Sequence, residues 1–194
     1  MSVNDGFDGV LYDLRNSFHS MVRDLLEDNS MAVKRRILMS LTPLCLFFGR
    51  RLSTETFVPF VLTFLSHPQW QLRVAAYHHL LGVMSIVGSK SLEDITLALI
   101  SKSFSDQEEF VIDRAILCAV SLVKADMLRK KVVFDLASLA APLLLHPSRW
   151  VRNAALELEE VVWDSLTPAD RFVFFCPFIG PFLRNELPAV AESS

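Results

Sequence analysis

The sequence predicts an all-α fold, a HEAT-type α-solenoid of about four helix pairs followed by one unpaired C-terminal helix. Three observations predict it. Four segments, EDNSMAVKRRIL, SHPQWQLRVAAY, SDQEEFVIDRAI and HPSRWVRNAALE, share a polar turn and then an aliphatic residue that opens an amphipathic stretch. Their aligned aliphatic residues, Val33, Leu72, Val111 and Val151, are spaced 39, 39 and 40 residues apart. No segment sustains period-two alternation of apolar and polar residues, so no sheet is expected.

The turns recur in the same register, at Asp28, His67, Asp106 and His146. A basic residue follows the aliphatic one in three copies, as Lys34, Arg73 and Arg152; the third copy has Ile112 there and Arg114 two places on. Each aliphatic residue begins a helical stripe. Leu72, Ala76, Leu80, Val83 and Val87 recur at three- and four-residue steps, as do Val151, Ala155, Leu158 and Val162, which places each set on one helix face. Gly49 and Gly88 fall near the ends of two such helices, where a left-handed cap favours glycine. The first helices of the pairs are read at 8–27, 53–66, 90–105 and 131–146, with the last helix at 168–184. Ser53 with Thr56, Ser91 with Asp94, and Thr167 with Pro168 are their candidate starts. A period near 40 with two helices per unit, and Pro59 and Pro142 within first helices, fits HEAT repeats better than the 34-residue tetratricopeptide class. The resulting organisation is a flexible N-terminus over 1–7, the array over 8–186 and a flexible tail over 187–194.

The last helix, DRFVFFCPFIGPFL, is strongly apolar and has no helix after it to cover it. Because a solenoid ordinarily ends in a repeat with a polar outer face, the array is expected to continue in a longer protein or to meet a partner there. The isolated chain is expected to self-associate through Phe172, Phe174, Phe175, Phe178 and Phe182.

Bulk properties narrow the function. Hydrophobic residues make up 52% of the chain and mean hydropathy is +0.35, with 21% of residues charged, so helices are buried between neighbours or apolar surface awaits a partner. A net charge of −3 provides no basic footprint for nucleic acid. Cys45, Cys118 and Cys176 are scattered among apolar neighbours, which fits small buried side chains in a reducing compartment. The N-terminus lacks the pattern of a signal peptide, and Ser2 stands where myristoylation needs glycine. The longest apolar run, Phe172 to Leu183, is too short to span a bilayer, so direct membrane insertion is not expected. These features read as cytoplasmic.

No residues read as a catalytic, cofactor or metal site. His78 and His79 are adjacent and diverge by about 100° on a helix; His79 aligns with Cys118 and Leu158 and so is placed toward the core. Glu108 and Glu109, and Glu157, Glu159 and Glu160, are placed at helix starts or on solvated faces. Arg35-Arg36, Arg50-Arg51 and Arg129-Lys130-Lys131 are either ordinary solvated surface or a patch for an acidic partner or anionic lipid. Trp70 and Trp150 lie in the first turns of second helices, where they cap a neighbouring repeat or anchor a partner. The candidate protein-interaction residues are Arg50, Arg51, Trp70, Trp150, Phe178 and Phe182.

The runs LCLFFGRR, FVLTFLSHPQWQLRVAAY, SFSDQEEFVIDRAI, PLLLHPSRWVRNAA and FVFFCPFIGPFLR carry a further signal. In this order, over about residues 18–190, the chain resembles the HEAT-repeat middle region of the regulatory subunits of class III phosphatidylinositol 3-kinase. These are vacuolar-protein-sorting scaffolds that resemble serine/threonine kinases, and the ending is most similar to plant members. The resemblance implies a scaffold that holds the lipid kinase catalytic subunit and a beclin-type subunit. It implies a place at endosomal and autophagosomal membranes, reached through the complex, in vacuolar sorting and autophagy. The family's kinase-like domain and β-propeller match nothing in this chain, so none of its catalytic residues is carried over. The expected function is a non-catalytic scaffold, a fragment or truncated form of that subunit. The alternatives are an unrelated HEAT-repeat adaptor, or part of an active serine/threonine kinase whose catalytic domain lies outside the chain.

Overall fold

The computed structural model describes residues 3–88 and 93–183. The expected tail at 187–194 and the helix start at Ser91 lie outside the described residues. The described residues are helical with no strand, and the chain divides into two compact units, Met1–Leu92 and Glu93–Ser194.

The first unit holds α1 (Val3–Glu27), α2 (Met31–Met39), α3 (Leu41–Leu52), a π-helical turn (Ser53–Phe57), α4 (Val58–Leu65) and α5 (Trp70–Val87). α1 begins at Val3, earlier than residue 8. α2, α3 and α4 all pack on α5. The stripe Leu72, Ala76, Leu80, Val83 and Val87 is 1% exposed at every position, as periodicity required. Tyr77 joins it at 1% because α5 is covered on several sides, whereas His79 is only half-buried and His78 exposed. The expectation that His79 faces the core is corrected accordingly.

What the spacing reads as a single helix up to Gly49 is broken once within its length, and the second break falls at its expected end. The first lies at Ser40, between α2 and α3. Pro43, three residues on, has no N–H to offer the Met39 carbonyl, so the ladder stops there. The second is Gly49, whose φ of 79° and ψ of 174° only glycine adopts readily. That kink, not Ser53, sets the start of the next helix. Ser53 is fully buried in right-handed helical backbone and donates its hydroxyl to the Cys45 carbonyl at 3.2 Å.

The second unit holds α6 (Glu93–Ser103), α7 (Glu109–Lys124), α8 (Lys130–Ala140), a 3₁₀ turn (Ala141–Leu145), α9 (Arg149–Ser165), α10 (Pro168–Asp170), a π-helical turn (Arg171–Phe175) and α11 (Cys176–Leu183). α7 packs along α9, while α8 and the 3₁₀ turn cover α9 from another side and α11 rests on the 3₁₀ turn. Val151, Ala155, Leu158 and Val162 are all 0% exposed. Thr167 caps α10 by accepting the Asp170 N–H at 3.3 Å, with Pro168 next, as read from the sequence. Lys130 and the Thr167 hydroxyl both donate to the Asp170 carboxylate and, in that order, hold its pKa below the ordinary value.

The prolines of the first helices each sit at an irregular turn. In both π turns the closing N–H, of Val58 or Cys176, reaches back five residues to Ser53 or Arg171, and a proline follows at once, Pro59 or Pro177. A proline ring clashes with the carbonyl four residues back and cannot bond it; widening the preceding turn relieves that clash. Pro142 lies in the 3₁₀ turn that ends the helix begun by α8.

The turn register has a physical basis. In each of the four turns the side chain accepts the backbone N–H two residues on: Asp28 from Ser30 at 2.6 Å, His67 from Gln69 at 3.0 Å, Asp106 from Glu108 at 3.0 Å and His146 from Ser148 at 3.1 Å. A carboxylate oxygen and an imidazole Nδ1 serve equally as acceptors at this reach, which explains why aspartate and histidine exchange there. Burial, then Lys34 and Arg73, lower the pKa of His67 and favour the neutral ring that this acceptor role needs.

The two His-Pro turns are also clamped. Arg73 Nη1 donates to the carbonyls of His67 and Pro68 at 2.7 and 3.0 Å, and Arg152 Nη1 to those of His146 and Pro147 at 2.8 and 2.7 Å. Charge-assisted bonds of this kind contribute about 1–2 kcal/mol when partly exposed. Arg152→Ala therefore lowers unfolding stability in urea by about that amount, and Arg152→Lys restores only part of it because an ammonium lacks the guanidinium's fork. An alanine variant as stable as the parent would dismiss the clamp.

Glu159 overturns an expectation. Instead of facing solvent with Glu157 and Glu160, it is 3% exposed, and neither carboxylate oxygen has a hydrogen-bond partner. Because α9 is covered by both α7 and the α8 side, its buried arc is wider than the aliphatic stripe, and the residue one turn after Ala155 falls inside it.

Candidate protein-interaction site

Within each unit, neighbouring second helices leave a groove. In the first unit it lies between α2 and α5, with a volume near 810 Å³, and Trp70 borders it with Arg35, Arg36, Met31 and Met39. Trp70 is half-buried at the first turn of α5. The groove is basic and apolar, so Arg35 and Arg36 belong to a shaped surface. A second, apolar groove of about 440 Å³ lies between α1 and α3, lined by Leu14, Phe18, Pro43, Leu44 and Phe47.

In the second unit the groove between α7 and α9 has a volume near 400 Å³ and is lined by Glu109, Phe110, Asp113, Arg114, Leu117, Trp150, Asn153, Ala154 and Glu157. Trp150, named from the sequence, is 72% exposed at its rim. Phe110 was missed, although it stands immediately before Val111 as Trp150 stands before Val151, and it is 61% exposed. Aligning the copies one residue upstream of the aliphatic position would have found it. Arg114 pairs with Asp113 at 3.1 Å, and Lys124 with Glu157 at 2.9 Å. Burial raises the Asp113 pKa, Arg114 opposes the rise, and Glu157 adds to it.

The other named residues lie apart from these grooves. Arg50 follows the Gly49 kink; its Nη2 stands 3.0 Å from where a Cβ on Gly88 would be, and Gly88 itself has a φ of 101°. Arg51 is exposed and pairs with Glu55 at 3.1 Å, an (i, i+4) surface pair that contributes little. Phe178 is half-buried against Phe175, ring centroids 5.0 Å apart, and Phe182 is also half-buried. Phe175 is 3% exposed, so it does not contribute the surface expected of it. The exposed apolar residues here are Phe172 at 71%, Val173 at 61%, Phe174 at 58% and Leu183 at 61%. Trp163 holds this segment to α9: Phe172 and Phe175 pack on its ring, and the Arg171 guanidinium stacks over it at 5.0 Å.

Among the described residues no group of three or more His, Cys, Asp or Glu is placed to hold a metal ion, and no helix is long and apolar enough to cross a membrane. Cys45 and Cys118 are buried and Cys176 half-buried, all free thiols, and burial pushes Cys118 up to about 12.

Paired helices in a repeating register, with side-chain grooves between successive second helices, define a helical-repeat protein of the HEAT class. The fold is similar to a solved structure described by the statement that crescerin uses a TOG domain array to regulate microtubules in the primary cilium. That match has a TM-score of 0.54 and 20% identity, covering 91% of this chain and 77% of the other. The chain belongs to the family described as PIK3R4-like, middle domain, which matches residues 2–194. Its relatives include the probable serine/threonine-protein kinase vps15 of Dictyostelium discoideum, 34% identical and covering 92% of this chain. The serine/threonine-protein kinases VPS15 of Arabidopsis thaliana and Saccharomyces cerevisiae are 33% and 31% identical over 94% and 90% of it. The chain spans only 9% to 12% of the length of these relatives.

Proposed function

We propose that this chain is a non-catalytic scaffold segment of the class III phosphatidylinositol 3-kinase regulatory subunit. Its helix pairs would contact the lipid kinase catalytic subunit and a beclin-type subunit, and through that complex it would act peripherally at endosomal membranes in vacuolar sorting and autophagy. The observation that carries the reading is the family match along residues 2–194, on the middle segment of proteins named as kinases. The grooves and exposed aromatic residues support it because they offer binding surface at positions the repeat fold does not need for its own core.

The test is co-purification of the lipid kinase subunit with the full-length regulatory subunit, with and without the segment corresponding to residues 30–184. Loss of the lipid kinase from the shortened protein is the expected result; undiminished assembly would sink the proposal. The names of the relatives favour a second reading, in which the chain serves an active protein kinase whose catalytic part lies elsewhere. In that case the same deletion lowers phosphotransfer by the full-length protein while leaving assembly intact.

A further inference from the structure

Phe110 and Trp150 occupy one register position in successive copies, the residue before Val111 and Val151. In the first two copies that position holds Ala32 and Gln71, so the repeat itself does not require an aromatic ring there. Both aromatic side chains border the α7–α9 groove while 61% and 72% exposed. Large apolar residues converging on one concave surface mark a binding site more often than chance exposure does.

The charge of the groove narrows the occupant. Glu109, Asp113 and Glu157 face a single lining cation, Arg114. Arg114 is engaged by Asp113, and Lys124, outside the lining, by Glu157. Glu109 then leaves the groove with excess negative charge. The Asp113 side chain is only 14% exposed and poorly hydrated, so a second cation beside it replaces solvation it lacks. The corresponding groove of the first unit is lined by Arg35 and Arg36 and would repel the same ligand. A volume near 400 Å³ is at the small end of ligand-sized clefts, which fits a short segment and not a folded surface.

We propose that the α7–α9 groove docks a short basic and apolar segment of a partner protein, with a lysine or arginine entering among Glu109, Asp113 and Glu157 and stacking on the ring of Trp150. An aromatic anchor beside three carboxylates, of which Asp113 is poorly hydrated, combines cation–π and charge-assisted contacts in one place. The inference stands on the groove alone and holds whichever assembly the chain serves.

The probe is a fluorescein-labelled peptide of alternating leucine and arginine, with a leucine–glutamate peptide as its counterpart, titrated into the full chain by fluorescence polarisation. The arginine peptide should bind saturably, more weakly as salt rises, and the glutamate peptide should not bind. Trp150→Ala and Glu109→Lys should each weaken binding at least about tenfold, while Leu156→Ala, on α9 outside the groove, should not. Both altered positions are exposed, and matching thermal melts confirm that the variants remain folded. Equal uptake of the two peptides, or unchanged affinity in both groove variants, overturns the proposal. So does self-association by light scattering that Trp150→Ala abolishes, because the occupant would then be a second copy of this chain.

Discussion

Replacing Glu159 with methionine should stabilise the fold by about 3 kcal/mol at pH 7 and remove its loss of stability toward alkaline pH. The native carboxyl is 3% exposed and unpartnered, and burial pushes its pKa from 4.5 up to about 8. The folded chain therefore holds a proton that the unfolded chain releases. Stability from this group is fully present below pH 4.5 and is lost as pH rises through about 8. At 1.36 kcal/mol per pH unit, the loss is about 3 kcal/mol at neutral pH and about 5 kcal/mol above the folded pKa. Methionine has nearly the same volume and no charge, so it fills the site without this cost. Glutamine separates the two contributions. Its amide does not titrate, which flattens the pH profile, but it remains a buried polar group without partners and recovers less stability. Urea unfolding midpoints measured from weakly acid to weakly alkaline solution decide the matter. A native chain whose profile is as flat as that of Glu159→Gln shows that the carboxyl is not buried as described.

Glu159 also shows where the sequence was legible. The aliphatic stripe of α9 was readable because each member lies three or four residues from the next, and all four are fully buried. The width of the buried arc was not, since it depends on how many neighbours cover the helix. Glu159 stands one turn after Ala155, which placed it at the margin where acidic chemistry argued for solvent and packing decided otherwise. The same division holds elsewhere. Asp28, His67, Asp106 and His146 declared the turns because a local hydrogen bond requires an acceptor at that place. Pro59, Pro142 and Pro177 were visible as residues, but whether the chain answers with a π turn or a 3₁₀ turn depends on tertiary space. Pro43 should have signalled the break at Ser40, since a missing N–H is a property of the residue alone. For the candidate binding surface, Trp150 was legible by its type and Phe110 was not, because an apolar residue at a helix start reads as core. Charge sorted the grooves only once folding had put Glu109, Asp113 and Glu157 beside one another.

Gly82→Ala should cost about 2 kcal/mol, although the same change in an unconstrained helix contributes roughly 1 kcal/mol of stability. Gly82 lies within α5, where the helix meets α3. A Cβ there would stand 2.2 Å from Thr42 Oγ1, 2.8 Å from its Cγ2 and 3.1 Å from its Cβ. Threonine branches at Cβ and is stiff at χ1, so rotation moves one offending atom away as it brings another in. Relief requires α3 and α5 to separate, against a core in which Leu41, Leu72 and Tyr77 are each 1% exposed. Thr42→Ala removes the two nearest atoms. The double variant should therefore recover most of the loss, with a coupling energy of about 1–2 kcal/mol between the two positions. Thermal melts should show the single variant lowered by roughly 4–8 °C, given the size of the chain. If Gly82→Ala is neutral or stabilising, or if Thr42→Ala does nothing to rescue it, the close approach of these helices is wrong. α5 also carries Trp70 and forms one wall of the α2–α5 groove. Residue 82, where glycine admits the close approach of α3, and Trp70 at the α2–α5 groove thus share one helix.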